Sequence, residues 1–224
     1  MEEPESRMSE ERNITITISR QMGSGGVYIG HLVAKELGFK YFDREILRQA
    51  AERFGTDVGM LEDISERSPG IIETIIKGFS YGTPNAGTMQ PMRQPVYSKD
   101  LFTLECKIIE EIANQYNAVI IGRAGFYALR EQPRVIHVFI HAPLEFRVKR
   151  VMKVQNITDI RKARNKVKDS DQNRTKYIRD MAGLDWTDSR NFHLCVDSSF
   201  ISFRETAKII VGLAETIKLS GKGN

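Results

Sequence analysis

Hydrophobic and polar positions alternate through "ITITIS" (Ile14–Ser19), the period of a strand. After the turn-rich "RQMGSGG" the period lengthens, and Ile29, Leu32, Val33 and Leu37 recur at helical spacing. The pattern predicts strand, loop, helix. "GFKYFD" reads as a short second strand ending at Asp43, and "REILRQAAERFG" as a helix closed by Gly55. The character then changes. From Thr56 to about Tyr97 there are two short helical candidates, "VGMLEDISER" and "PGIIETIIKGFS", followed by the turn-rich "YGTPNAGTMQPMRQP". This stretch reads as an inserted lobe with a mobile loop. Regular patterning resumes with the amphipathic helix "KDLFTLECKIIEEIANQY", which feeds the apolar run "AVIIG", a buried central strand. A short helix near "FYALRE", the strand "RVIHVFI", a basic helical region from Pro143 to about Met181, the strand "FHLCVD" and the helix "FRETAKIIVGLAETIKL" complete the order. Strands alternating with helices predict an α/β fold, a parallel sheet covered on both faces, with ligands at the carboxyl ends of its strands.

At 224 residues and 41% hydrophobic, the chain is large enough for one sizeable core without help from disulfides or metals. Cys106 and Cys195 lie in apolar contexts without zinc-ligand spacing and read as packed thiols of a reducing compartment. Residues 1–12 are charged and polar, with no apolar core of a signal peptide, and read as a disordered tail. No apolar run reaches the length of a membrane span, so the expected location is cytoplasmic, with no membrane partner.

The net charge of +4 hides a local asymmetry. Between Arg147 and Arg179 twelve Lys/Arg stand against three Asp, so the remainder of the chain is net acidic. A field of that kind suits a polyanion, either nucleotide phosphates or a nucleic acid. The second option lacks the regular aromatic interleaving of single-strand binders. A small-molecule nucleotide is therefore the expected partner.

Glycines at 23, 25 and 26 between a strand and a helix would let backbone N–H groups converge on one anion, aided by the helix dipole. A plain tight turn is the competing reading. The order of "ISRQMGSGGVYIG", "YFDREIL", "VIIGRAGFYAL", "KDSDQNR" and "CVDSS" settles the weighting, because from Ile14 to Leu219 the chain resembles the cytidylate kinase-like family of P-loop nucleoside monophosphate kinases. That resemblance implies a three-layer P-loop fold over residues 13–224, an inserted acceptor-binding lobe at about 56–98, a lid at about 155–182, and ATP and Mg²⁺ as cofactors. It implies phosphoryl transfer to a small nucleotide, a cytidylate or related pyrimidine nucleoside monophosphate. The same fold used as a catalytically weak nucleotide-binding regulator is the first alternative, and a nucleic-acid-binding protein using the basic arm the second.

The departures from the family pattern are specific. In GxxxxGK[ST] the lysine reaches the β/γ-phosphates and the hydroxyl residue holds the metal. Here Gly26 stands at the lysine position, Val27 follows it, and Tyr28 stands where a hydroxyl residue is expected. Arg20 or another cation would have to supply the charge, with Ser19 and Ser24 as spare hydroxyls. Asp43 is either a helix cap or the partner of Mg²⁺, of its bound water or of the substrate hydroxyl, with Arg44 on the acceptor's phosphate. Arg123, after the buried strand, either binds the substrate monophosphate or pairs with a helix terminus. The acidic residue that family members often keep beside it is absent before Glu131. Asp169, Asp171, Asn173 and Arg174 match the lid pattern, and Arg161, Arg164 and Lys168 share one helical face, although a solvated face is the ordinary fate of such a run. Asp197 and Ser198 lie beside the donor's adenine by resemblance, or serve as a cap. His31, His193 and Trp186 read as packing or surface residues, with base stacking a rival role for Trp186.

Overall fold

The computed structural model describes residues 13–43, 99–122 and 124–220. Its elements are β1 (Thr15–Arg20), α1 (Gly26–Leu37), β2 (Lys40–Phe42), α2 (Lys99–Gln115), β3 (Ala118–Ile121), α3 (Gly125–Ala128), β4 (Val135–His141), α4 (Leu144–Gln155), α5 (Ile160–Ala182), β5 (Leu194–Asp197) and α6 (Phe203–Ser220). The five strands are parallel in the order β2-β3-β1-β4-β5. Each parallel connection needs a crossover, and the helices that supply the crossovers cover both faces.

Alternation within each strand divides the core into two layers. On one face Ile16, Ile18, Ile136, Val138 and Ile140 pack against Ile29 and Val33 of α1 and Ala207, Ile210 and Ala214 of α6. On the other, Ile120 and Phe42 pack under Leu104, Ile108 and Ile112 of α2. The threonines of β1 are also buried, at 1% exposure, because β1 is the central strand. Thr17 meets its polar need across the ladder: it is registered with His137, and its hydroxyl lies 2.7 Å from the His137 Nδ1.

The basic region is two helices rather than one. Asn156 adopts a left-handed conformation (φ 52°) that ends α4, and Asp159 caps α5 by accepting from the Arg161 and Lys162 amides. Val148 and Val151 of α4 pack on Ala163 and Val167 of α5, with Met22 at the edge of the cluster. The far half of α5 is anchored separately, where Ile178 joins Phe102, Phe126, Phe139 and Trp186. Trp186 is thus a core residue, its indole N–H donating to the Thr175 hydroxyl at 2.9 Å. Both cysteines are free thiols. Cys106 is half-buried, whereas Cys195 is exposed and so departs from the packed environment expected of it, because its β5 is an edge strand.

The tail at 1–12 and the lobe at 56–98 lie outside the described residues, as do Arg44 and Arg123. No helix among the described residues is long and apolar enough to cross a membrane.

Candidate functional site

β1 runs through the middle of the sheet and delivers the glycine loop to its carboxyl edge, where α1 begins. Gly23 and Gly25 both have φ 85°, a left-handed conformation that favours glycine. Their missing side chains also leave room for neighbours. A Cβ on Gly23 would meet the Arg147 carbonyl at 2.6 Å, and one on Gly25 would meet the Phe203 ring at 2.6 Å. Among the described residues the N–H groups of Gly25, Gly26, Val27 and Tyr28 find no acceptor, and the first bond of α1 runs from Ile29 to the Gly25 carbonyl at 3.0 Å. Four amides at the positive end of the α1 dipole are therefore left available to an anion.

Four side chains hold the loop in this shape. Asp171, reaching over from α5, accepts the Met22 N–H at 3.0 Å and ion-pairs with Arg147 at 2.5 Å and Arg174 at 3.0 Å. Arg147 also donates to the Ala142 carbonyl at 2.8 Å and the Met22 carbonyl at 3.2 Å. Just past β5, the buried Ser198 hydroxyl donates to the Ser24 carbonyl at 2.6 Å and lies 3.1 Å from the His141 carbonyl. From α6, Phe203 fills the place a Gly25 side chain would take.

The hydroxyls the sequence offers are partly committed. Ser24 donates to the Gln21 carbonyl at 2.9 Å, and Ser19 is buried near the end of β1. Val27 and Tyr28 are exposed on the first turn of α1, Tyr28 lying 6.2 Å from Phe203, over whose ring the Arg150 guanidinium sits at 4.5 Å. Asp197 accepts both the N–H and the hydroxyl of Ser199, which hold its carboxyl below the usual range. It does not cap α6. That helix has its own capping box, in which Ser202 and Glu205 exchange bonds at 3.0 and 3.2 Å.

Across the α1 side of the sheet edge, Arg20, Tyr41, Asp43 and His31 form a polar layer. His31 stacks on Tyr41 with ring centres 3.7 Å apart. Burial pushes the Tyr41 phenol above its ordinary range with Asp43 adding to the effect and Arg20 opposing it, while burial lowers His31 against Asp43. The Tyr41 hydroxyl is buried without a hydrogen-bond partner among the described residues. Asp43 lies just past the end of β2. Magnesium ordinarily takes one or two protein carboxylates and keeps phosphate and water as its other ligands, and Asp43 suits that donor set. Among the described residues no group of three or more His, Cys, Asp or Glu forms a complete cage.

The structure thus brings Ser19, Arg20, Gly23, Ser24, Gly25, Gly26, Val27, Tyr28, Asp171, Arg174 and Ser198 around one loop, with Asp43 on its β2 side. Three participants were missed by sequence reasoning: Arg147, Phe203 and Tyr41. Arg147 is 7% exposed, and a buried arginine inside a basic run carries no separate sequence signal. Of the basic face, Arg164 pairs with Glu145 of α4 and so braces the hairpin.

Comparison with known proteins gives the same architecture. A solved structure of an uncharacterized protein from Eubacterium ventriosum superposes with a TM-score of 0.67 at 20% identity, covering 91% of this chain and 99% of that one. A gluconokinase from Sinorhizobium meliloti superposes with a TM-score of 0.51 at 14% identity, covering 93% and 98%. In sequence, a cytidylate kinase of Methanopyrus kandleri is 26% identical over 207 residues, 88% of this chain and 91% of that protein. The model of the cytidylate kinase-like family matches residues 15–200. With the parallel sheet, the glycine loop at the end of its central strand and this match in hand, the chain belongs to the cytidylate kinase-like family.

Proposed function

We propose that the protein transfers the terminal phosphoryl group of ATP to a small nucleotide, a cytidylate or related pyrimidine nucleoside monophosphate. The observation that carries this reading is the braced glycine loop at the end of the central strand, where the amides of Gly25 to Tyr28 have no acceptor among the described residues, in a chain of this family. Such a loop suits the phosphates of a nucleoside triphosphate.

The chemistry asks little beyond positioning and charge neutralisation. The amides from Gly25 to Tyr28 would hold the donor's phosphates. Mg²⁺ carried with ATP would neutralise part of their charge, with Asp43 reaching the ion or its water. Arg174, whose guanidinium pairs with the same Asp171 that accepts the Met22 amide, would meet a phosphate that displaces part of that pairing. Arg123 and Arg44 would take the acceptor's phosphate. The α4–α5 hairpin would act as the lid, closing water out of the loop's mouth.

One observation favours the regulator reading: neither Val27 nor Tyr28, the two residues after the lysine position, is a serine or threonine, and the hydroxyl of Ser24 donates to the Gln21 carbonyl. Against nucleic acid, the basic hairpin spends Arg147 and Arg164 on Asp171 and Glu145. The test is acceptor-dependent release of ADP from Mg·ATP across a panel of nucleoside monophosphates. Release with a pyrimidine monophosphate supports the reading. ATP binding without release supports the regulator.

A further inference from the structure

The consensus phosphate loop spaces its first glycine six residues before its lysine. With Gly26 at the lysine position, that first glycine falls on Arg20. The chain thus carries an arginine where the consensus has glycine and a glycine where it has lysine. In the structure the two positions face each other. A Cβ built on Gly26 would lie 2.6 Å from the Arg20 Cβ and 3.0 Å from its Cγ. Atoms so placed cannot both exist, so the two positions share one side-chain volume. Nothing in the backbone demands glycine at 26, since its φ is not among the positive values that mark Gly23 and Gly25. Steric room for Arg20 is the remaining reason.

The path of the arginine reinforces this. Its stem crosses Gly26 and its guanidinium arrives at Gly122, past the end of β3, where an added Cβ would collide with Nη1. Gly26 and Gly122, the latter at φ 74°, both lack side chains, and the Arg20 side chain occupies the space beside them. Arg20 also acts on the Tyr41 phenol, in opposition to Asp43, so the three groups belong to one end of the sheet. A guanidinium there stands between the loop and the β2 side of the cleft. It is planar, permanently charged and able to contact two phosphate oxygens at once.

We propose that the phosphate-contacting cation of this site has been exchanged across the loop, from the first turn of α1 to the end of β1, so that Arg20 contacts the transferring phosphoryl group and Gly26 is glycine because Arg20 is present. This rests on the kinase reading for its catalytic half and on geometry alone for its steric half. A Lys placed at 26 beside an intact Arg20 is therefore excluded, and Arg20→Ala would not make room for it, since the Cβ contact persists.

Five proteins test the exchange: wild type, Arg20→Gly, Arg20→Lys, Gly26→Lys and the Arg20→Gly/Gly26→Lys double variant. Melting without nucleotide reads the steric half. Gly26→Lys should melt below wild type, and the double variant should recover most of the loss. With Mg·ATP and the best acceptor, Arg20→Gly should lower kcat by about 100-fold or more, as for loss of a transition-state donor, with a smaller change in KM. The double variant should regain at least about tenfold over Arg20→Gly, and Arg20→Lys should retain part of the activity. If wild type itself turns over no acceptor, the kinase reading fails, and calorimetry still judges the exchange: Arg20→Gly should weaken ATP binding while leaving adenosine binding unchanged. The proposal is overturned if Gly26→Lys alone matches wild type in melting, or if folded Arg20→Gly keeps full kcat, or, absent turnover, full ATP affinity. In the latter two cases Arg20 only braces the strand ends beside Asp43.

Discussion

Replacing Asp171 with alanine separates a structural role from a substrate-binding one. Its carboxylate accepts three donors: the Met22 amide, Arg147 and Arg174. The Arg147 side chain is 8% exposed and that of Asp171 18%, so the pair is poorly screened. Removing one partner of a buried pair costs about 3–5 kcal/mol, and the stranded amide adds about 1 kcal/mol. Partial exposure of Asp171 and the carbonyls that Arg147 keeps reduce the total, to about 3 kcal/mol. For a chain of this size that is a fall in Tm of roughly 6–12 °C. Asp171→Asn, which keeps an acceptor for Met22, should cost about half as much. Removing both charges with Arg147→Met/Asp171→Ala should be milder than the sum of the single changes, with a coupling of about 2 kcal/mol. Urea denaturation with shared m-values measures all four corners of the cycle. A loss below about 1 kcal/mol for Asp171→Ala, or strictly additive single effects, refutes the staple. If stability survives while kcat collapses, Asp171 serves the substrate instead.

Gly25→Val should destabilise by about 2–4 kcal/mol, from φ strain and collision with the Phe203 ring 2.6 Å away, and Phe203→Ala should relieve only the collision; equal stability of Gly25→Val and wild type contradicts this. Burial holds His137 near pKa 4, below the ordinary 6.5, so between those values the unfolded chain takes up a proton that the folded chain refuses. Its contribution is complete above about pH 6.5 and falls as pH drops, by roughly 2 kcal/mol at pH 5; urea titrations at pH 7 and 5 should show this loss in wild type and a smaller one in His137→Gln. Iodoacetamide at pH 8 should label exposed Cys195 in the native protein well before Cys106, whose thiol burial and nearby Glu110 push up to about 12; mass spectrometry of tryptic peptides reads the order, and equal labelling contradicts it.

Elements with a single strong period were legible from sequence. The helix read from Lys99 to Tyr116 runs from Lys99 to Gln115, and the strand "AVIIG" occupies Ala118–Ile121. The break in the basic region was also written locally, in Asn156 and the cap Asp159, but continuous charge masked it. β1 looked half-polar and is buried from Thr15 to Ser19, with Thr17 facing His137 and α3 rather than water. The glycine loop was legible as a loop. Its bracing was not, since Met22 and Asp171 are 149 residues apart and Ser198 and Ser24 are 174 apart. Nor could a pattern along one strand reveal that positions 20 and 26 share one volume, although both departures from the consensus were visible. The sequence already offered Arg20 as a source of the missing charge, and packing adds that its side chain and one at position 26 would compete for the same space.

The central claim is phosphoryl transfer from ATP to a pyrimidine nucleoside monophosphate, and single-turnover measurement with γ-labelled ATP tests it most directly. Enzyme in excess over labelled Mg·ATP is mixed with each monophosphate in turn, and the label is followed by chromatography. The account predicts label on one pyrimidine nucleoside diphosphate, formed much faster than phosphate is released to water. Bound ATP that gives up its label to no acceptor, or only to water, contradicts it.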